Sequence, residues 1–394
     1  MLSQALQTRV DARDPNWNSP VKYKGKIMRL AATLLLGMML AGGAHAVNIE
    51  RAKLAHPASG YALSIHTVGR TTSPDGKPPF THQWPGTYWE SRFTGTEVTA
   101  AFSDPTNILH VYIDGQKVDT ETRPGDTQIR FSGLSGGAHT ITLEKVTESQ
   151  NDIGTFLGFN VPNQKDVQPQ GIARIRQIEF IGDSYTVGYG NTSTKRECTK
   201  QEIWATTDTQ QAFGPLTAKH YGADYQTNAF SGRGIVRNYD GFIGDPLPAL
   251  YPYALYDGKS AYNDPDWKPQ IIMIALGGND FATPVHAGEK WKTLEELRAD
   301  YIASYVAFVK SLRTRNPQAS FLLTDYGEPE VLANINEVIK RLKADGETRI
   351  DLFNAGSNFE LTGCDWHLNF ADNKRISDTL ITYLDAHPSL WQGK

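Results

Sequence analysis

Near residue 175 the hydrophobic pattern of this chain changes period, and that change constrains the fold more than any other feature. Before it, short runs alternate apolar and polar residues: Glu97–Phe102, Leu109–Ile113, Thr127–Phe131 and His139–Glu144. Turns such as Asp114-Gly115 and Ser135-Gly-Gly137 separate them. No helical period interrupts the series, so 47–163 reads as an all-β sandwich of the jelly-roll kind. After the change, strands alternate with helices. Gln177–Ile181, Tyr225–Phe230, Gln270–Leu276, Ser320–Thr324 and Arg349–Phe353 read as buried strands, and Thr209–Tyr221, Thr293–Arg313, Glu328–Ala344 and Asn373–Ala386 as helices. Within Thr293–Arg313, Leu294, Leu297, Tyr301, Tyr305, Phe308 and Leu312 share one face, and Thr293 with Glu296 predicts a capping box. Such alternation predicts an α/β domain over 177–394, its parallel sheet covered on both faces. Between the two patterns, Asn160–Gln170 is polar and interrupted by Pro162 and Pro169, which predicts an exposed connection and a linker at 164–176.

The leading residues read differently. Arg29 precedes an apolar run, Leu30–Gly42, which ends in Ala44-His45-Ala46, a small-x-small pattern. The run is too short to cross a bilayer and reads as a secretory signal peptide within a leader, 1–46. Translation is expected to start at Met28, with the polar residues before it an extension; a long charged leading region is the alternative. The mature chain is then secreted or periplasmic, with no membrane span, and is expected to act as a monomer. A net charge of −4 and the lack of a basic run exclude nucleic acid as a partner. No spaced Cys/His set, HExxH motif or phosphate loop calls for a metal or an organic cofactor. Cys198 and Cys364 are the only cysteines. In an oxidising compartment they can pair, or they remain two thiols, since a sequence does not place their Cα atoms within bridging range.

Four polar turns follow the strands and the last loop of the α/β half. Gly182-Asp-Ser184 ends the first strand and presents Ser184 where open α/β sheets place ligands. A serine needs a base to become a nucleophile. His367, in Cys364-Asp-Trp-His-Leu-Asn369, is the candidate base, with Asp365 beside it as the candidate orienter. Gly232, in Asn228-Ala-Phe-Ser-Gly-Arg-Gly234, and Asn279, in Leu276-Gly-Gly-Asn-Asp280, are candidate donors to an oxyanion, together with the Ser184 N–H. Taken singly, each turn also reads as ordinary capping or turn chemistry. Asp183 and Asp280 are assigned to backbone hydrogen bonding. Trp366, Tyr185, Tyr189 and Trp204 are candidate sugar platforms, whereas Trp84 and Trp89 are expected to pack the sandwich or the junction between domains.

Together Ser184, Gly232, Asn279 and His367 resemble the four blocks of the SGNH, or GDSL-type, esterase superfamily. Gly69-Arg-Thr, Gln83-Trp-Pro-Gly86, Phe93-Thr-Gly95, Val111–Gly115, Ser231–Tyr239 and Gly363-Cys-Asp-Trp-His367 narrow the likeness to carbohydrate esterase family two. That resemblance implies a jelly roll preceding a flavodoxin-like SGNH hydrolase domain. It also implies an acetyl xylan esterase-like activity that removes O-acetyl groups from xylan or glucomannan, with a bias to the primary 6-hydroxyl, through a Ser-His-Asp acyl-enzyme. Two departures stand out against the wider superfamily. The acid lies two residues before the histidine rather than three, and some members work with a Ser–His dyad. Leu368 replaces a proline common after the histidine. Lipase- or thioesterase-type activity on other acyl esters, and glycan binding by a vestigial site, are the competing expectations. Mass spectrometry of the exported protein is expected to find Val47 at its N-terminus; an intact Met1 or Met28 would contradict export with cleavage.

Overall fold

Alternation builds the first domain. Its strands are β1 (Asn48–Lys53), β2 (Tyr61–Ala62), β3 (His66–Val68), β4 (Thr71–Thr72), β5 (Phe80–His82), β6 (Tyr88–Thr94), β7 (Glu97–Asp104), β8 (Ile108–Ile113), β9 (Gln116–Thr122), β10 (Gly125–Ser132), β11 (Ala138–Lys145) and β12 (Gly154–Val161). This is a computed structural model that describes residues 47–54, 60–169 and 174–392; the leader, with Met28 and the expected cleavage site, lies outside the described residues. One sheet runs β1-β10-β7-β12-β5-β4, with β2 on β12, and the other β3-β6-β11-β8-β9. Every pairing in both is antiparallel. In β8 the inward residues Leu109, Val111 and Ile113 are buried and the ones between are half-exposed, which is period-two patterning at work. They meet Trp89, Phe102, Phe131 and Phe156 in the sandwich core. The stretch expected as a free connection is docked. Asn160 and Val161 continue β12, and Val167 bridges Phe93. Asp166 is buried and accepts from the Asn163 amide at 3.0 Å.

The second domain is built on β13 (Gln177–Gly182), β14 (Asp224–Ala229), β15 (Ile271–Ala275), β16 (Ser320–Leu323) and β17 (Ile350–Leu352). Their order is β14-β13-β15-β16-β17, all parallel. The chain reverses direction of travel across the sheet beside β13, so the crevice at its carboxyl end is the expected ligand site. The helices are α1 (Ser184–Val187), α2 (Lys200–Thr206), α3 (Phe213–His220), α4 (Leu247–Leu250), α5 (Gly278–Phe281), α6 (Leu294–Arg315), α7 (Pro329–Ala344) and α8 (Phe370–Ala386). Phe213 of α3 and Ile376, Leu380 and Leu384 of α8 pack on one face of the sheet. Tyr301, Tyr305, Phe308 and Leu312 of α6, with Ile335 and Val338 of α7, cover the other, while Leu294, expected on the same face, is exposed in the first turn of α6. Three boundaries depart from expectation. Thr209–Gln211 is a separate 3-10 turn ahead of α3. α8 begins earlier because Asn369 and Asp372 form a full capping box. At α6 only half of such a box forms: Thr293 accepts the Glu296 N–H, while Glu296 turns to the Lys292 N–H. Among the described residues no helix is long and apolar enough to cross a membrane.

The two domains share one compact unit, joined through buried polar groups. Glu179, in the middle of β13, is fully buried. Its Oε1 accepts from the Tyr251 hydroxyl and the Asn228 amide, each at 2.6 Å, and its Oε2 from the Trp267 indole at 3.3 Å. The counter-charge comes from the sandwich: Arg70 is 1% exposed, with Nη2 3.4 Å from Glu179. Its Nη1 donates to the Tyr251 carbonyl, and its guanidinium lies 4.0 Å over the Tyr251 ring. Trp84 follows it across the junction, donating to the Tyr253 carbonyl at 3.0 Å, whereas Trp89 stays in the sandwich core. A buried carboxylate stripped of its cation is strongly destabilising. Arg70→Ala is expected to lower unfolding free energy by roughly 3 kcal/mol in urea titrations, and a fragment starting at residue 164 is expected to show no cooperative unfolding; a stable, folded fragment would contradict this.

Candidate active site

The nucleophile candidate sits where β13 stops. Gly182 is required there, since a Cβ would fall 2.0 Å from the Thr186 hydroxyl. Asp183 then caps α1, its Oδ1 accepting the Tyr185 N–H at 3.1 Å. Ser184 therefore opens α1 at the carboxyl end of the central strand, with its Oγ 2.8 Å from His367 Nε2.

His367 is delivered by a 3-10 turn, Cys364–Trp366, just before α8. Asp365 and Trp366 both adopt positive φ, 51° and 58°, a left-handed conformation uncommon for such residues. This fold of the backbone turns the carbonyls of Cys364 and Asp365 toward His367 Nδ1, at 2.9 and 3.1 Å. Carbonyl oxygens only accept, so Nδ1 carries the proton and Nε2 is the bare nitrogen facing Ser184. Here the structure corrects an expectation. The Asp365 carboxylate does not hold the imidazole; it points outward and accepts from the Tyr189 hydroxyl at 3.0 Å. The reason is the left-handed backbone, which presents the main chain of residue 365 to the ring and sends its side chain away. Tyr189 lies against the imidazole, ring centroids 4.3 Å apart, and Tyr185 meets it at 5.3 Å. Burial pushes the His367 imidazole below its ordinary value, against the opposing pull of the Cys364 and Asp365 carbonyls.

Several contacts hold the histidine loop to the segment after the nucleophile. Cys198 and Cys364 are joined in a disulfide. Cys364 donates to the Gly190 carbonyl at 3.2 Å and Asp365 to that of Arg196 at 2.6 Å. Gly190 lies so close that a Cβ would come 2.4 Å from that of Cys364. Leu368, in place of a proline, is buried in the core under α8 and anchors the loop by packing.

The donor candidates converge on the same cavity, of about 800 Å³. The N–H groups of Ser184 and Gly232 donate to no acceptor among the described residues. Asn279 reaches the cavity, yet its Nδ2 is engaged with Asp183 Oδ2 at 3.1 Å and the Arg233 carbonyl at 2.9 Å. It must exchange one of these to serve an oxyanion. Asp183 and Asp280 are both structural in contact. Asp280 accepts three successive N–H groups, of Ile235, Val236 and Arg237, at 2.8–2.9 Å, which pins the loop beyond Gly232. Burial pushes the Asp183 carboxyl up to about 7, and that of Asp280 to about 6.

Trp366, 54% exposed, lines the cavity, as do Tyr185 and Tyr189. Trp204 does not. Its indole donates to the Thr106 carbonyl at 2.9 Å and Arg123 lies 3.8 Å over its ring, so α2 uses it as a strut against the sandwich. Tyr239, Phe242 and Gln150 are among the lining residues that sequence reasoning missed. Tyr239 and Phe242 stand exposed on the loop after Gly232; the signal was an apolar Phe-Ile pair in a stretch with neither strand nor helix period. Gln150 comes from the sandwich and carried no signal. Among the described residues no group of three His, Cys, Asp or Glu side chains is placed to hold a metal ion.

Residues 67–170 match the carbohydrate esterase 2 N-terminal family, and residues 180–389 the GDSL-like lipase/acylhydrolase family. An acetylxylan esterase / glucomannan deacetylase of Cellvibrio japonicus is 41% identical over 366 residues, which is 91% of this chain and 98% of its own. Among solved structures, a carbohydrate esterase whose active site displays divergent catalytic and non-catalytic binding functions aligns with a TM-score of 0.78 and 40% identity, over 84% of this chain and all of its own. A family 2 enzyme of Corynascus thermopiles (Myceliophthora fergusii), carrying a carbohydrate-binding domain, aligns at 0.68 with 27% identity, over 82% of this chain and 99% of its own. With both halves matched in this order and nine-tenths of the chain aligned to an esterase of nearly the same extent, the protein belongs to carbohydrate esterase family 2.

Proposed function

We propose that this carbohydrate esterase removes O-acetyl groups from xylan or glucomannan, outside the cytoplasm, with Ser184 as nucleophile and His367 as base. One observation carries the reading: Ser184 Oγ lies 2.8 Å from a His367 Nε2 whose partner nitrogen is held by two carbonyls, so the proton of the serine has somewhere to go. The substrate class rests on the Cellvibrio japonicus relative, and the location on the Cys198–Cys364 bond together with the apolar leader.

Ser184 Oγ attacks the acetyl carbonyl as Nε2 takes its proton. The negative charge that develops on the carbonyl oxygen is met by the Ser184 and Gly232 N–H groups, and by Asn279 once its amide turns from one protein acceptor. Collapse breaks the bond to the sugar oxygen, which takes the proton from Nε2. Water then attacks the acyl-enzyme, passing a proton back through His367, and acetate leaves. The imidazolium formed along the way is stabilised by the Cys364 and Asp365 carbonyl dipoles rather than by a carboxylate in contact.

The test is acetate release from acetylated xylan and glucomannan. Ser184→Ala is expected to abolish it. Asp365→Ala is expected to lower kcat by less than about tenfold, against the ~10⁴-fold loss when a contacting carboxylate orienter is disabled. Faster cleavage of long-chain acyl esters than of acetyl would instead favour a lipase-type enzyme, and glycan binding without acetate release a binding protein. The base must be neutral to act, so kcat/KM falls as pH drops through the His367 pKa. Because burial lowers that pKa, the midpoint is expected below the ordinary histidine value of about 6.5; a midpoint above it would contradict the assigned environment.

A further inference from the structure

Gly232 offers an uncommitted N–H to the cavity, yet little packs around it: a Cβ there would meet only Phe242, at 3.6 Å, and φ is 82°. A peptide this loosely surrounded takes its direction from its neighbours. Downstream, the Tyr239 N–H donates to the Gly232 carbonyl at 2.9 Å, and Asp280 grips Ile235–Arg237. Upstream, the restraint comes from the other domain. Glu148, in the loop after β11, accepts the Ser231 N–H on Oε1 at 2.8 Å and the Ser231 hydroxyl on Oε2 at 2.7 Å. Gripping both the amide and the side chain of one residue fixes its orientation, and the next peptide plane, which carries the Gly232 N–H, follows from it.

The Glu148 loop is itself rigidly held. Lys145, fully buried, donates to the carbonyls of Gln83 and Trp84 at 2.6 and 3.2 Å and to the Ser149 hydroxyl at 2.5 Å. Asn107 Oδ1 accepts from Thr147 and Ser149 at 3.0 and 3.1 Å. Gln150 donates to Glu148 Oε2 at 3.3 Å and lines the cavity. The carboxylate is thus anchored in the sandwich on one side and spent on the oxyanion loop on the other.

We infer that Glu148 is a positioning residue for the oxyanion site, by which the sandwich domain sets the direction of the Gly232 N–H. The inference rests on the proposed acyl-transfer role of this cavity. A donor displaced by even 1 Å loses much of its value to the transition state, so the effect falls on kcat rather than on KM.

The experiment compares Glu148→Ala, Glu148→Gln and Ser231→Ala in the full chain, by kinetics on a soluble aryl acetate, thermal unfolding, and hydrogen exchange of the segment 229–236. Glu148→Ala is expected to lower kcat by roughly tenfold or more with KM within about twofold, and to speed exchange in that segment. Glu148→Gln still accepts the Ser231 N–H and is expected to restore most of the rate and the slow exchange. Should Glu148→Ala fail to fold, Ser231→Ala removes one of the two contacts with the sandwich intact and is expected to cause a smaller loss in the same direction. Unchanged kcat and exchange in the alanine variants, or equal losses in Glu148→Ala and Glu148→Gln, would overturn the inference. If the wild type cleaves no acetyl ester, the acyl-transfer reading falls, and the exchange comparison still decides whether Glu148 holds the loop.

Discussion

One buried carboxylate organises this molecule. Glu179 lies at the centre of β13 and gathers donors from Tyr251, Asn228 and Trp267 of its own domain and from Arg70 of the sandwich. Desolvating a charge in a sheet interior is expensive unless it is paired and fully hydrogen-bonded. The strand that carries Glu179 therefore draws its counter-charge from the sandwich, and that same strand places Ser184 at its end. The sandwich thus contributes to both ends of this region: its Arg70 pairs with the carboxylate of the strand that leads to Ser184, and its Glu148 grips Ser231 on the cavity lining.

The histidine is held by main chain where a carboxylate is more familiar. Two consecutive residues with positive φ, Asp365 and Trp366, bend the loop so that carbonyls face Nδ1. Conformations of this kind persist only where their surroundings over-determine them. Here the disulfide, the Gly190 contact and buried Leu368 supply that determination. The same bend places half-exposed Trp366 on the cavity lining beside His367, so one local device sets the direction of both side chains.

How much of this was legible in the sequence follows from locality. The parallel sheet was readable because strands such as Ile271–Ala275 are apolar throughout, and the Ser184 turn because it directly follows one of them. In the sandwich, β8 declared itself by strict alternation, whereas β6 did not. Its Glu90 and Ser91 are buried, with Glu90 Oε2 accepting from Arg174 and the Ser91 hydroxyl donating to the Ser64 carbonyl, partners distant in sequence. β9 is a polar edge strand, and β12 carries an irregularity between Phe156 and Gly158. At the site, Asp365 was placed correctly along the chain but its direction depends on a backbone torsion that no residue pattern specifies. Trp204, the Glu148–Ser231 contact and the Cys198–Cys364 pair were decided by contacts across more than 80 residues of chain, 166 in the case of the disulfide. Short-range chemistry was visible; side-chain direction and domain-to-domain reach were not.

The proposed chemistry depends on a Ser184–His367 pair, oriented by backbone carbonyls, that faces donors from Ser184 and Gly232. A crystal structure of the protein with a phosphonate covalently trapped on Ser184 tests it most directly. A phosphonyl oxygen is expected within hydrogen-bond distance of the Ser184 and Gly232 nitrogens, with His367 Nδ1 still on the Cys364 and Asp365 carbonyls. A trapped enzyme in which the Asp365 carboxylate has swung onto Nδ1, or in which that oxygen points away from Gly232, would contradict it.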